Sequence, residues 1–200
     1  MRKELLKAFL SSLGVLRPDE LELIADNTVV QNFKKGTILL REGQVSNKCY
    51  AILEGCIRSY YLIDGEEKST AFFTEGQPVT AFTSYVNQKP TKQYLECVED
   101  CVLTVGNQDL EKEMCNMIPR LDAIIRAEVE KEAGKKQDEF AFFMTSSPEE
   151  RYLNLLERRP ELFNRVPQHQ LASYIGVKPE SLSRIRKRIA EKRKSNSIAT

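Results

Sequence analysis

Apolar residues recur at helical spacing in the first thirty positions. Leu5, Leu6, Phe9 and Leu10 mark one helix, and Arg17-Pro18-Asp19-Glu20 opens a second that carries Leu21, Leu23 and Ile24. A proline in a first turn costs no hydrogen bond, because that amide has no partner inside the helix anyway. From 29 to 113 the rhythm changes. Short β-prone runs (Thr37–Leu40, Cys49–Leu53, Cys56–Ile63, Ser69–Phe73, Leu95–Val105) alternate with Glu42-Gly43, Glu54-Gly55, Asp64-Gly65 and Glu75-Gly76. Strands at roughly ten-residue spacing with acid-glycine turns predict a sandwich or barrel. Asp64-Gly65 after Tyr60-Tyr61-Leu62-Ile63 predicts a tight hairpin.

Helical spacing returns over 114–143, where Met117, Leu121, Ile124, Ile125 and Val129, then Phe140 and Phe143, form one apolar stripe. The stripe is long for packing within one small domain and predicts a helix-helix dimer contact. Pro119 is tolerated near the start of such a helix. Gly134 weakens its middle by about 1 kcal/mol. Thr145-Ser146-Ser147-Pro148-Glu149-Glu150 reads as a capped helix start and a domain boundary, with a hinge expected at 138–143.

The most specific pattern lies at 166–189. Leu171, Ala172 and Ile175 make the inner face of a short helix, Gly176 a tight turn, and Leu182, Ile185 and Ile189 the inner face of a second helix that begins at Pro179. This is a helix-turn-helix arrangement. Glu180, Ser181 and Arg184 fall at the outward start of the second helix, the end that meets base edges. Lys178, Lys187 and Arg188 suit phosphates, which position without specifying. Gln168, Pro179 and Ser183 complete the expected DNA-binding set.

Charge supports this reading by its distribution. The net charge is +1, yet residues 178–200 carry +6 and the remainder −5. A basic end on an acidic body is the asymmetry of a nucleic-acid-binding module. Five cysteines (Cys49, Cys56, Cys97, Cys101, Cys115) lack C-x-x-C spacing and predict reduced, mostly buried thiols. The single histidine, His169, lies outside the β-rich region. No metal site, catalytic residue or cofactor is expected, and no hydrolase, P-loop, zincin or dinucleotide fingerprint occurs. No apolar run approaches the roughly 18 residues of a membrane span, and no secretion signal is read, so a cytoplasmic location with no membrane partner is expected.

With Lys35-Gly36-Thr37-Ile38-Leu39, Glu42-Gly43, the stretch Cys49–Arg58, Glu75-Gly76, Leu171-Ala172-x-x-Ile175-Gly176-Val177 and Pro179–Arg184, the chain resembles the cyclic-AMP receptor protein/FNR (Crp/Fnr) superfamily of bacterial regulators over roughly 20–190. The resemblance implies an α+β architecture. A β jelly-roll sensor would occupy 1–113, a dimerisation helix and hinge 114–144, and a winged-helix-like DNA module 145–200. It implies a homodimer that binds palindromic duplex DNA, with RNA polymerase and a small-molecule effector as further partners. It places Glu180 and Arg184 on base-reading positions. Pro179 replaces a basic residue common before the Glu.

The chain departs from that pattern in two places. Thr80-Ala81 stands where cyclic-nucleotide members have Gly-Glu, and Lys92-Gln93 where they have Arg-Ser. Lysine cannot imitate the guanidinium fork. The expectation is a regulator not controlled by cyclic AMP, with Thr80, Ala81, Phe82, Tyr85, Lys92, Gln93 and Tyr94 as a candidate effector pocket. The alternative is a ligand-binding signalling module whose helical end contacts protein. After the second helix, Glu191-Lys192-Arg193-Lys194 and a short tail leave no sequence for the usual β-hairpin wing, so a lost wing is expected, its phosphate contacts taken over by the basic tail.

Overall fold

The computed structural model describes the backbone of residues 2–198 and the side chains of residues 2–192. These residues form two compact units: Met1–Tyr61 with Thr70–Gly134, and Leu62–Ser69 with Lys135–Thr200.

In the first unit, α1 (Arg2–Ser12) and α2 (Pro18–Asn27) bury Leu6, Leu10 and Ala25 together with Leu53. Then come β1 (Val29–Phe33), β2 (Ile38–Leu40), β3 (Cys49–Glu54), β4 (Ile57–Ile63), β5 (Glu66–Phe73), β6 (Pro78–Val79), α3 (Phe82–Asn87), β7 (Tyr94–Cys97) and β8 (Cys101–Gly106). The strands make two four-stranded sheets, ordered β1-β8-β3-β6 and β2-β7-β4-β5. Their inner faces enclose Leu40, Tyr50, Ile52, Ile57, Val79, Leu95, Cys97 and Leu103. This is the jelly-roll layout, in which two sheets face each other across one apolar layer.

Two strand readings are corrected by the structure. β1 goes beyond the runs predicted from the sequence; it pairs antiparallel with β8, Phe33 opposite Cys101. The run 95–105 is two strands, not one. At 98–100 the chain turns: the Val98 amide donates to the Cys56 carbonyl (2.8 Å), and the Asp100 carboxylate accepts from the Lys35 amide (2.9 Å) and the Lys34 ammonium (2.7 Å). The predicted β4–β5 hairpin is present, with Asp64 and Gly65 both at positive φ (52° and 80°), the geometry of a type I′ turn.

α4 (Gln108–Met117) and α5 (Leu121–Thr145) replace the single helix read over 114–143. The break falls at Ile118–Arg120, because Pro119 has no amide to donate and Ile118 is buried. Gly134, expected to weaken the middle, leaves α5 unbroken, and a Cβ there would meet nothing within 4 Å.

The second unit holds α6 (Pro148–Arg158), α7 (Leu162–Arg165), α8 (Gln168–Tyr174) and α9 (Pro179–Ile198). α6 begins as its sequence dictates. The Glu150 amide donates to Ser147 Oγ (3.3 Å), and the Ser147 amide donates to the Glu150 carboxylate (2.7 Å).

Leu103, fully buried between the sheets, should cost about 2–5 kcal/mol when replaced by alanine, whereas Leu62→Ala, at a half-exposed position, should stay within about 0.5 kcal/mol. Urea denaturation of the two variants measures the difference; equal midpoints would mean that the sheets do not share this core.

Candidate nucleic-acid interface

α8 and α9 are joined by a turn that only glycine fits. Gly176 has φ 77°, and a Cβ would lie 3.0 Å from Arg151 Nη1 and 3.1 Å from Phe143 Cζ. The Gly176 amide donates to the Ser173 carbonyl (3.0 Å) and the Val177 amide to the Ala172 carbonyl (2.9 Å), closing α8 in the manner of a Schellman cap. Pro179 then starts α9, where its fixed φ suits the first turn. Leu171, Ala172 and Ile175 of α8 and Leu182, Ile185 and Ile189 of α9 are buried. The period-3.6 stripes of the two helices therefore meet, and the polar faces are left outside.

On that outer face Lys178, Pro179, Glu180, Ser183, Arg184 and Lys187 are exposed, as is Gln168 at the start of α8. Ser181 is half-buried and accepts a hydrogen bond from Arg184 Nη2 at 3.1 Å. That bond lays the guanidinium along the first turns of the helix, within reach of anything that approaches its N-terminal half. Arg188 is placed differently. It pairs with Glu149 at the start of α6, and Lys192 pairs with the same carboxylate at 3.0 Å. The Lys192 ammonium, with the Arg188 guanidinium, holds the Glu149 carboxyl below the usual carboxylate range. Nothing in the spacing of residues 178–192 marks this pairing, since its partner is some forty residues upstream. The backbone of α9 runs to Ile198; the side chains of Arg193 and Lys194, assigned to the basic tail, lie outside the described residues.

The residues expected to form an effector pocket are distributed over different surroundings. Ala81 belongs to the apolar core, Phe82 is 55% exposed, and Lys92 is exposed. The Thr80 hydroxyl donates to the Lys48 carbonyl (3.2 Å). The Tyr85 hydroxyl faces Cys49 Sγ (3.7 Å), and burial raises its pKa. Tyr94 stacks on Tyr60 with ring centroids 4.9 Å apart. Gln93 reaches the β4 face: its Nε2 donates to Ser59 Oγ, and Ser59 Oγ lies 3.1 Å from Thr70 Oγ1. Ser59 shares its strand face with the core residue Ile57, and its neighbour across the ladder is the core residue Leu95. A hydroxyl-amide chain thus starts from buried Ser59 on the inner face of the second sheet and reaches half-buried Gln93 and exposed Thr70. Reading from sequence missed Ser59 and Thr70, because β4 buries Ile57, Arg58, Ser59 and Tyr60 in succession and shows no alternation. Arg58 lies on the opposite face, with Cζ 4.0 Å over the Tyr60 ring and Nη2 3.7 Å from Glu96.

All five cysteines are free thiols, and Cys56, Cys97 and Cys101 are buried. The hydrogen bond with Cys101, together with burial, raises the Cys97 pKa, and burial raises that of Cys49. Thiols so held are protonated at neutral pH and poor nucleophiles. Among the described residues no three His, Cys, Asp or Glu side chains come together as a metal site, and no helix is long and apolar enough to cross a membrane.

Comparison with known proteins agrees with this architecture. Residues 30–116 match the family model of the cyclic nucleotide-binding domain. The chain is 24% identical over 165 residues to the transcriptional activator protein FnrA of Stutzerimonas stutzeri, across 76% of this chain and 66% of that protein, just under two thirds of its length. The fold of FixK2 from Bradyrhizobium japonicum superposes with a TM-score of 0.68 at 16% identity, over 82% of this chain and 85% of that one. The chain thus resembles the Crp/Fnr regulators in fold, with the cyclic nucleotide-binding match confined to residues 30–116. CLP of Xanthomonas campestris, a regulator described as responsive to c-di-GMP, shares the fold with a TM-score of 0.70 at 16% identity, over 88% of this chain and 93% of that one. The chain thus joins a cyclic nucleotide-binding-type jelly roll to C-terminal helices.

An aromatic disulfide reagent should leave Cys56, Cys97 and Cys101 unmodified in the native protein and label all three after denaturation. Mass-spectrometric mapping checks this; rapid native labelling of Cys97 would contradict its burial.

Proposed function

We propose that this protein is a dimeric, sequence-specific DNA-binding transcription regulator that works without cyclic AMP. One observation carries the reading. α9 buries Leu182, Ile185 and Ile189 and presents Lys178, Glu180, Ser183, Arg184 and Lys187 to solvent at its N-terminal end. A helix some 20 residues long spans about 30 Å, and its first turns fit a major groove about 12 Å wide. Arg184 is suited to donate to a guanine edge and Glu180 to accept from cytosine. Lys178 and Lys187 suit phosphates, and Arg188 reaches them only by leaving Glu149. Gln168, exposed and first in α8, would suit the flanking backbone.

The dimer is supported by α5. None of its 25 residues is buried within the chain, although it carries Leu121, Ile124, Ile125 and Val129, and further on Phe140 (67% exposed) and Met144 (67% exposed). A second copy of the same helix would cover these side chains, as in a two-stranded coiled coil. Met117, the last residue of α4, lies just before it.

Independence from cyclic AMP is supported by the inner face of the second sheet. Ser59, on that face, Thr70 and Gln93 already satisfy one another, and the cation nearest in sequence, Lys92, points to solvent. An anionic phosphate would have to break that chain without gaining a guanidinium. The expected setting is the bacterial cytoplasm, with RNA polymerase as a further partner and an effector other than cyclic AMP.

Selection from a random duplex pool, with and without cyclic AMP, tests the reading. The expected outcome is one palindromic sequence in both arms. On that sequence Arg184→Ala should cost about 1–3 kcal/mol and relax preference at one base pair per half-site. Lys187→Ala should weaken binding to all sequences and flatten the salt dependence. Enrichment only with the nucleotide would overturn the cyclic-AMP independence; no enrichment in either arm would overturn the DNA reading.

A further inference from the structure

We propose that the β4–β5 hairpin tip is a latch on the helix-turn-helix, held by Ser173, and that duplex DNA binds against its hold; this rests on the DNA-binding reading above. Ser173 lies on α8, three residues before the Gly176 turn. Its hydroxyl accepts from the Ser69 amide (2.9 Å) and donates to the Glu67 carbonyl (2.8 Å). A serine hydroxyl has one proton to give, and here it is committed to the hairpin.

The geometry explains why this contact forms. β5 stands at the end of the order β2-β7-β4-β5, so among the described residues one of its edges has no neighbouring strand. Along a strand, the carbonyl of one residue and the amide two residues on point to the same edge. Glu67 and Ser69 are such a pair, and one side chain satisfies both, as the next strand would have done. The hairpin tip and the helices at Lys135–Thr200 form one compact unit.

Charge makes the latch antagonistic to DNA. The tip carries Asp64, Glu66 and Glu67 against Lys68, and Glu66 pairs with Lys68. Glu66 is next to Glu67, whose carbonyl is held by Ser173, five residues before Lys178 at the start of α9; the Lys68 ammonium holds the Glu66 carboxyl below its usual range, and Lys178 adds to this more weakly. Phosphates drawn to Lys178 would meet these carboxylates. Either the tip withdraws and loses both Ser173 bonds, or the duplex binds against repulsion. An effector that moved the β4–β5 hairpin would therefore change DNA affinity without touching α9.

The test uses the full chain, a fluorescein-labelled random duplex at low salt, and hydrogen exchange without DNA. Ser173→Ala should speed amide exchange at 66–69 and bind the duplex about tenfold tighter, the equivalent of two lost neutral hydrogen bonds. Ser173→Thr, which keeps the hydroxyl, should behave as the wild type. Glu66→Gln combined with Glu67→Gln should also tighten binding. This second variant decides the matter if Ser173→Ala speeds exchange throughout α9 and so reports loss of fold. Unchanged exchange at 66–69 in a folded Ser173→Ala would overturn the latch. So would faster exchange with unchanged or weaker DNA affinity, and in that case the DNA reading stands. Failure of the wild type and every variant to bind any duplex would reject the DNA reading, and the latch with it.

Discussion

The turn at Gly176 is the constraint on which the functional unit depends. Its positive φ and the lack of room for a Cβ let α8 and α9 meet at one fixed angle. What fills that room matters as much. Phe143, near the end of α5, lies against Gly176, and Arg151 of α6 stacks 4.2 Å over the Phe143 ring. The cation over the aromatic face contributes about 0.5–2 kcal/mol in such settings. Through these two side chains the end of α5 touches the turn that aims α9. A rotation at the end of α5 would be felt directly at Gly176, so the helix proposed to make the dimer also sets the presentation of the proposed base-reading face.

The jelly roll keeps the architecture of a nucleotide-binding domain while its interior has different chemistry. Ser59, Thr70 and Gln93 form a hydrogen-bonded chain that starts on the inner face, and Ala81 is core. Polar groups that satisfy one another resist displacement, because a ligand must replace each bond that it breaks. The hydrogen bond with Cys101 and burial keep the Cys97 thiol protonated. Regulation through the hairpin tip fits such a domain, because it acts through backbone edges and surface charge.

Much of this was legible in the residues. The Leu171/Ala172/Ile175 and Leu182/Ile185/Ile189 stripes have the period of helices, and the glycine between them could occupy few other places. Asp64-Gly65 announced its hairpin by turn chemistry alone. What escaped has a physical reason in each case. β1 pairs with β8 some seventy residues later, and its burial pattern is too irregular for period-2 reading. β4 is buried on both faces, so alternation could not mark Ser59 as inward or Arg58 as outward. The clasp of Glu149 on Arg188 and Lys192 and the bonds of Ser173 to the hairpin link residues 39 to 106 positions apart. No local pattern encodes such contacts; only the packed chain shows them.

Hydroxyl-radical footprinting of the full-length protein on its selected duplex tests the central claim most directly. Two α9 helices presented by a symmetric dimer should protect two patches related by a two-fold axis, with centres about one helical turn, roughly 34 Å, apart. A single patch, or protection spread evenly along the backbone with no symmetry, would contradict the account of a dimeric, groove-reading regulator.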